Sequence, residues 1–181
     1  MKVAMKVVAK VAGPPEPSGK RVTAPAPATA FIGIGANLGQ ALATVLQAMQ
    51  SIGALPRTTL LRRSSLYRTA PVDSSGPDYV NAVVEISTSL DAHALLAQLQ
   101  AIENKAGRRR PFRNAPRTLD LDILLYDGDL AINSPTLVVP HPRMAQRAFV
   151  VVPLAEIAPH QVSTAQLQAV SGQGIARIGT T

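Results

Sequence analysis

The sequence predicts an α+β fold of the ferredoxin-like type, in which an antiparallel sheet with the element order βαββαβ carries packed helices. Two observations support this prediction. Hydrophobic patterns typical of strands and helices follow one another in the order strand, helix, strand, strand, helix, strand. The chain has 181 residues, of which 46% are hydrophobic, which suits the core of one ordinary domain and is too small for two.

The first strand and the first helix are predicted from a short apolar run and the stripe that follows it. The run begins at Phe31 and ends at Gly35. Beyond it, apolar residues recur at the three- and four-residue spacing of a helix that Gly53 closes. This stripe consists of Leu38, Leu42, Val45, Leu46, Met49 and Ile52.

Two further strands and a second helix occupy the middle of the chain. Residues 58–68 and 79–88 are predicted as strands, the second with alternating apolar side chains. Asp91 is the predicted N-cap of the helix, Leu90 packs on Leu95 as a hydrophobic staple, and Gly107 ends the helix. The apolar positions are Val80, Ala82, Val84 and Ile86 on the strand, and Leu95, Leu99 and Ile102 on the helix.

A fourth strand completes the predicted fold. It covers residues 119–126 and is followed by Asp127-Gly128, a dipeptide typical of a hairpin turn. The segment Val139-Pro-His-Pro142 breaks the chain before a short helix that begins near Met144. We therefore predict one domain over residues 30–160 and leave the weakly periodic residues 161–181 unassigned.

Residues 1–29 are predicted to form a flexible basic extension. They contain five prolines and many alanines, and five basic residues against one acid give a net charge of +4. Lys2, Lys6 and Lys10 leave two interpretations open, a targeting or membrane-surface helix and a disordered tail, and composition favours the tail. Residues 30–181 carry only +3, so the high pI does not by itself indicate a polyanion partner.

Composition excludes several classes of protein. The chain has no Cys, which excludes a disulfide scaffold, thiol catalysis and a thiolate zinc site. Only six residues are aromatic and none is Trp, which argues against a binding surface of many stacked rings. No run of 18 or more apolar residues is present, so the sequence predicts no membrane span.

Asp120 and Asp122 form the strongest candidate metal site. Side chains alternate along a strand, so both carboxylates project from one face. A divalent cation would relieve their repulsion, and Mg²⁺ typically takes one or two carboxylates together with substrate phosphates. An exposed strand face paired with surface arginines is the alternative. The opposite, apolar face of this strand consists of Leu119, Leu121, Ile123 and Leu125.

An arginine-rich segment precedes the acidic pair. Its members are Arg108, Arg109, Arg110, Arg113 and Arg117. Cations and a metal-binding pair that converge on one edge suit a nucleoside triphosphate. Two alternatives stay open: a solvated loop, and a non-catalytic RNA-binding module, although RNA would make little use of the paired aspartates.

A second candidate binding surface lies on the third strand. Tyr79 and Asn81 share one face, where an aromatic plane beside a carboxamide can hold a flat heterocycle. An ordinary half-exposed strand face is the alternative. His141 stands between two prolines and is either a donor to phosphate or a turn residue.

Four motifs in this order resemble the 6-hydroxymethyl-7,8-dihydropterin pyrophosphokinase family of the folate pathway. They are Tyr67-Arg-Thr-Ala-Pro71, Asp78-Tyr-Val-Asn81, Pro116-Arg-Thr-Leu-Asp-Leu-Asp122 and Val139-Pro-His141. The match covers about residues 30–160, and its PRTLDLD segment is highly specific. The resemblance implies a ferredoxin-like fold and the transfer of pyrophosphate from ATP to the pterin hydroxymethyl group, with release of AMP and the use of two Mg²⁺ ions. It further implies a cytoplasmic, monomeric enzyme whose partners are ATP and 6-hydroxymethyl-7,8-dihydropterin, with no nucleic acid and no membrane.

The resemblance also implies roles for single residues. Asp120 and Asp122 correspond to the magnesium ligands, and Gly35 and Asn37 to a strand-end motif near the pterin, in which many members have Ser in place of Ala36. The pterin pocket corresponds to Thr69, Val72, Tyr79, Asn81 and Phe149, with Phe149 stacked on the ring. The ATP contacts correspond to Glu103, Arg108, Arg110, Arg117, Ile123, His141 and Arg147, of which Arg108, Arg110 and Arg117 are the implied catalytic cations.

Three positions depart from the family pattern. Ala70 stands where some members have Pro, Asn114 where some have a Trp that closes over the substrates, and Pro142 where others have an aromatic residue. The arginine-rich segment is also one residue shorter than in those members. The departures concern the predicted lids at 69–78 and 107–117, and they leave the acidic pair unchanged.

Overall fold

The computed structural model of the chain describes residues 26–71, 76–107, 118–128 and 130–179. Most of the predicted extension, much of both predicted lids and Asn114 lie outside these ranges. So do four predicted site residues, which are Val72, Arg108, Arg110 and Arg117.

The described elements follow the predicted order and continue beyond it. The first part comprises β1 (Ala28–Ala36), α1 (Ala41–Gly53), β2 (Thr58–Arg63), β3 (Tyr67–Thr69), β4 (Tyr79–Thr88), α2 (Ala92–Lys105) and β5 (Asp120–Tyr126). The second part comprises β6 (Ile132–Asn133), β7 (Val138–Val139), α3 (Ala148–Ile157), α4 (Thr164–Val170) and β8 (Ile175–Arg177). Short 3₁₀ turns cover residues 144–146 and 159–161. Within the described ranges no helix is both long and apolar enough to cross a membrane.

The main sheet is antiparallel and confirms the ferredoxin-like prediction. Its strand order is β5-β1-β4-β3-β8, and β2 pairs with the same edge of β4 as β3. Helices α1 and α2 cover one face, where the alternating apolar residues of β1 and β4 form the larger core. Helix α3 covers the other face over a smaller core that includes Phe31, Val83 and Leu154. β1 begins at Ala28, two residues before the predicted start of the domain.

The prediction of one strand at 58–68 is wrong in one respect: the chain forms two strands there, β2 and β3. Ser64 interrupts them: its N–H donates to the carbonyl of Val83 at 2.9 Å, while its hydroxyl accepts from the N–H of Val83 at 3.0 Å. The buried hydroxyl therefore takes the place of a backbone carbonyl. A register shift between Leu60 and Arg62 adds a bulge just before this point.

The predicted stripe of α1 is only partly correct. Leu42 and Leu46 are 43% and 41% exposed, and Leu38 precedes the helix altogether. The buried face consists of Val45, Ala48, Met49 and Ile52. The small side chain of Ala48 completes this face because α1 lies close to the sheet. A helical spacing of apolar residues alone cannot distinguish this buried face from the face that carries Leu42 and Leu46.

Helix α2 and its caps confirm the prediction. The carboxylate of Asp91 accepts from the N–H of Ala94 at 2.9 Å. Leu95 and Leu99 are fully buried. Gly107 has a φ of +81°, the left-handed conformation that glycine adopts after a helix.

Leu125 was predicted on the same face as Leu121 and Ile123, and this is wrong. The register of β5 against β1 shifts, so that Ile32 pairs with Ile123 but Phe31 pairs with Leu125. The extra residue turns both Leu124 and Leu125 toward the α3 side.

The turn after β5 was predicted correctly, but the hairpin was not. Asp127 and Gly128 both have positive φ, at 51° and 66°. Instead of pairing with β5, β6 pairs with β7. The N–H of Asp127 donates to the carbonyl of Thr29 at 2.7 Å, which extends the pairing with β1.

The segment after residue 160, which the sequence left unassigned, is structured. Ser163 and Gln166 form a capping box at the start of α4, a local pattern that could have predicted this helix. β8 pairs with β3, and the N–H of Ile178 donates to the carbonyl of Leu66 at 2.8 Å. The side chain of Gln173 accepts from the N–H of Ala148 at 2.8 Å and so caps α3.

Removal of residues 174–181 is expected to lower the melting temperature by roughly 5 °C, because the loss of β8 removes several hydrogen bonds worth about 1 kcal/mol each. Thermal unfolding followed by circular dichroism measures the change. Removal of residues 180–181 alone, which keeps β8, is the control. An unchanged melting temperature for the longer deletion would show that β8 contributes no stability.

Candidate active site

The acidic pair lies on the sheet face that points away from α1 and α2. Asp120 pairs across the strands with Gly35, and Asp122 pairs with Gly33. Both aspartates are half-buried, while Leu121 between them is buried in the core under the helices. The predicted common face of the two carboxylates is therefore confirmed, and neither carboxylate has a side chain beside it on β1.

Gly35 forms the floor between two polar side chains. It pairs with Asp120 on β5 and with Asn81 on β4. Two strand spacings separate these residues, or about 10 Å between their backbones. A Cβ atom at Gly35 would lie 3.2 Å from Oδ1 of Asn81, so a side chain here would intrude on the carboxamide. We refer to the strip of this face over Gly35, between Asn81 and Asp120, as the trough.

One wall of the trough is a buried polar pair. Asn81 and Thr69 are 4% and 5% exposed, and Nδ2 of Asn81 donates to Oγ1 of Thr69 at 2.9 Å. Among the described residues no donor reaches Oδ1 of Asn81, so this oxygen can accept from a ligand. Tyr79 pairs with Thr69 and lies on the same face, as predicted for Tyr79 and Asn81.

Two further predicted residues lie at the end of β1 and in the first turn of α3. Asn37 is buried at the end of β1, and its Nδ2 donates to the carbonyl of Pro77 at 3.2 Å, which ties β1 to the start of β4. Phe149 lies half-buried in the first turn of α3. The guanidinium of Arg147 lies 5.3 Å from the centroid of the Phe149 ring, a cation–π contact.

His141 faces the acidic pair. Its Nε2 lies 4.0 Å from Oδ2 of Asp122, and its Nδ1 accepts from the N–H of Arg143 at 3.3 Å. Burial lowers the pKa of His141, while the nearby carboxylate of Asp122 opposes that shift. The neutral ring therefore carries its proton on Nε2, directed toward the acidic pair.

Two predicted nucleotide contacts do not join this group. Ile123 is 3% exposed and packs in the core under α1 and α2, because it alternates with Asp122 along the strand, so its side chain does not reach the site face. Glu103 is 2% exposed on α2, and its Oε1 accepts from the N–H of Leu121 at 3.0 Å. This bond fixes α2 to the start of β5.

Sequence reasoning missed two contributors. Gly33 pairs with Asp122 and lets the side chain of Leu124 pack over it, since a Cβ atom there would lie 3.3 Å from Cδ2 of Leu124. The alternation of Gly33 with Gly35 along a strand is a signal that could have found it. Tyr67 pairs with Asn81 and is 8% exposed beside the polar pair. The position of Tyr67 beside the polar pair depends on strand pairing between separate parts of the chain, so no local pattern indicates it.

The chain is similar to one family throughout its main domain. Residues 31–159 match the family described as 7,8-dihydro-6-hydroxymethylpterin-pyrophosphokinase, HPPK. A Haemophilus influenzae protein named 2-amino-4-hydroxy-6-hydroxymethyldihydropteridine pyrophosphokinase is 46% identical over 131 residues, which are 72% of this chain and 81% of that protein. A Bacillus subtilis protein of the same name is 43% identical over 129 residues, which are 71% of this chain and 77% of that protein.

Solved structures share the fold. A structure described as HPPK-DHPS in complex with substrates has a TM-score of 0.55 at 14% identity, over 78% of this chain and 42% of that chain. A wild-type Plasmodium falciparum HPPK-DHPS has a TM-score of 0.54 at 12% identity, over 72% and 39% of the two chains. The chain thus spans about two fifths of these longer proteins, and at this identity the likeness concerns the fold alone.

Gly35→Ala is expected to lower the free energy of unfolding by about 1–2 kcal/mol, because the added methyl group displaces a buried carboxamide from its hydrogen bond. Urea unfolding measures the change. Gly53→Ala is the matched control: its Cβ would meet only Leu60 at 3.4 Å, an ordinary contact. This control is expected to be neutral or stabilising because Ala favours a helix. Equal stability of the Gly35→Ala and wild-type proteins would contradict the close approach of Gly35 and Asn81.

Proposed function

We propose roles in the reaction for the described residues, on the premise that the chain belongs to the 7,8-dihydro-6-hydroxymethylpterin-pyrophosphokinase family. It transfers pyrophosphate from ATP to 6-hydroxymethyl-7,8-dihydropterin, a step of folate biosynthesis. ATP is the co-substrate and both substrates are small molecules. Membership of this family favours an enzyme over the non-catalytic RNA-binding module, the alternative that the sequence left open.

The pterin occupies the trough over Gly35 in this proposal. Oδ1 of Asn81 accepts from an N–H of the ring, and the Thr69 hydroxyl, which already accepts from Asn81, has its own proton to donate. Tyr79 and Phe149 supply the aromatic surfaces that border the ring. The observation that carries this assignment is the side-chain-free floor with Asn81 on one side and Asp120 on the other. It lets the ring bind Asn81 while the hydroxymethyl group lies toward the carboxylates.

Asp120 and Asp122 hold magnesium in this proposal. The described residues contain no cluster of three or more His, Asp or Glu side chains suited to a metal ion. Mg²⁺ needs no such cage, because one or two carboxylates plus phosphate oxygens and water complete its coordination. The two carboxylates share one face, and their cross-strand neighbours on β1 are both glycines, so the pair fits the ion. When bound, the metal neutralises phosphate charge, and two such ions are proposed.

The phosphate chain of ATP lies along the β5 side of the trough. His141 donates from Nε2 toward it, and Arg147 supplies a cation from the turn before α3. We assign the remaining phosphate contacts to Arg108, Arg110 and Arg117, which lie outside the described residues. The backbone of Ile123, rather than its side chain, is available to the nucleotide.

The reaction is an in-line displacement at the β-phosphorus of ATP. A bond forms from the hydroxymethyl oxygen to this phosphorus, the bond to the α,β-bridging oxygen breaks, and AMP leaves with that oxygen. The hydroxyl proton passes to solvent. The protein therefore needs no nucleophile of its own, and its residues act by positioning both substrates and by placing cations where charge develops.

We propose that the enzyme works as a monomer, the state expected above. Light scattering coupled to size-exclusion chromatography measures the mass of the active species. The predicted cytoplasmic location stays a prediction.

Asp120→Asn and Asp122→Asn are each expected to lower kcat by at least about 100-fold with little change in melting temperature, because each removes a metal ligand and no core contact. Steady-state kinetics at several Mg²⁺ concentrations measure the effect. Asp127→Asn is the matched control: it is the same chemical change just beyond β5, in a turn where Asn tolerates a positive φ. Near-normal Mg²⁺-dependent turnover of either variant would overturn the metal assignment.

With Mg²⁺, ATP and 6-hydroxymethyl-7,8-dihydropterin, the protein is expected to form AMP and the pterin diphosphate in equal amounts. Separation of the nucleotides by ion-exchange chromatography identifies the product, and a reaction without pterin is the control. ADP in place of AMP would mean transfer of the γ-phosphoryl group and would contradict the stated reaction. No pterin-dependent use of ATP, together with salt-sensitive RNA binding, would favour the non-catalytic module.

A further inference from the structure

The carboxylate of Glu156 on α3 accepts hydrogen bonds from the junction between β2 and β3. Glu156 accepts from the N–H of Ser65 at 2.9 Å, from the Ser65 hydroxyl at 2.7 Å and from the Tyr67 hydroxyl at 2.9 Å. The guanidinium of Arg177 on β8 lies 3.6 Å away, but that side chain is 68% exposed and its ion pair is weak. The three hydrogen bonds join residues about ninety positions apart in the chain.

These groups keep the protonation states that the bonds require. Burial, followed by the bond to Glu156, raises the pKa of Tyr67 to about 12. Burial would raise the pKa of Glu156, but the hydrogen bonds from Ser65 and Tyr67 outweigh it and lower the pKa. A phenol that donates to a carboxylate is therefore the stable form throughout the neutral range.

Tyr67 lies directly beside the polar wall of the trough. It pairs with Asn81 across the strands and shares its face, and Thr69 follows it at the next position on that face. β3 has only three residues, which pair with β4 on one edge and with β8 on the other, and the side chain of Tyr67 adds a bond to α3. The Tyr67 hydroxyl thus anchors the strand that positions Thr69.

Helix α3 carries Phe149, which the proposed pocket assigns to the other wall. Phe149 stands in its first turn and Glu156 in its last, about 10 Å along the same helix axis. The helix continues through Pro153 between these two residues, and the bond from Tyr67 to Glu156 ties its last turn to β3. It thereby fixes Phe149 relative to the pair formed by Thr69 and Asn81.

We propose that Tyr67 and Glu156 are positioning residues for pterin binding. They touch neither substrate; they hold the Thr69–Asn81 wall and the Phe149 wall at the separation that the ring requires. This inference rests on the proposed pterin pocket. It implies that loss of the contact weakens the binding of pterin and leaves the binding of ATP unchanged, because the acidic pair and His141 lie on the β5 side.

Tyr67→Phe tests the proposal against a matched control elsewhere in the same sheet. Tyr126→Phe also removes one buried tyrosine hydroxyl, which donates to the carbonyl of Leu90 at 2.6 Å, but that bond anchors the turn before α2. Titration calorimetry gives the Kd for pterin and for ATP, and thermal unfolding gives the stability. Tyr67→Phe is expected to raise the pterin Kd roughly tenfold with ATP affinity within twofold, whereas Tyr126→Phe leaves both within twofold at a similar loss of melting temperature.

Glu156 supplies an independent test through a conservative variant. In Glu156→Gln the amide oxygen can accept from the Ser65 N–H and the Tyr67 hydroxyl while the amide nitrogen donates to the Ser65 hydroxyl, so this variant is expected to bind pterin nearly as the wild type does. Glu156→Ala removes the acceptor and is expected to match Tyr67→Phe. The KM for pterin should rise in Glu156→Ala with a smaller change in kcat, because the chemistry lies at the other side of the trough.

Asn81→Ala separates the failure of this inference from the failure of the pocket assignment. If Asn81→Ala binds pterin normally, the proposed pocket is wrong and the inference falls with it. If Asn81→Ala loses pterin affinity while Tyr67→Phe keeps it, the pocket stands and the positioning role is wrong. Equal losses of pterin affinity in Tyr67→Phe and Tyr126→Phe would also overturn it, since stability alone would then explain the effect.

Discussion

The structure depends on the pairing of β1 with strands on both of its edges. β4 and β5 are far apart in the sequence, and only their antiparallel registers against β1 place Asn81 and Asp120 on either side of Gly35. Because side chains alternate with a period of two, a shift of one residue in either register would turn one of these groups into the core. The apolar residues under α1 and α2 make such a shift costly, so packing on one face fixes the chemistry on the other.

The two faces of the sheet therefore have different tasks. Under α1 and α2 the strands present a continuous apolar surface, which supplies most of the burial. On the other face, α3 covers only part of the sheet, and the uncovered part carries the polar groups. Glycine is essential to this division, because a larger residue at Gly35 would fill the trough.

The polar groups of the trough are largely preorganised. The carboxamide of Asn81 is held by Thr69, and the ring of His141 is held by the backbone of Arg143. Helix α3 is held at its C-terminal end as well, where Arg62 donates to the carbonyl of Ile157 at 2.8 Å. Groups that are already oriented before the substrates bind reduce the reorganisation that the reaction requires.

The sequence by itself determined the element order, the caps of α2 and the common face of Asp120 and Asp122. Each of these follows from spacing or from local hydrogen bonding, which act over a few residues. Family motifs supplied the candidate site residues, although they could not show that the Ile123 side chain points into the core. Tertiary structure decided the rest: the break at Ser64, the bulge that turns Leu125 around, the pairing of β8 and the contact of Tyr67 with Glu156. The physical reason is that each of these depends on groups brought together from distant parts of the chain, where packing and hydrogen-bond satisfaction outweigh local preference.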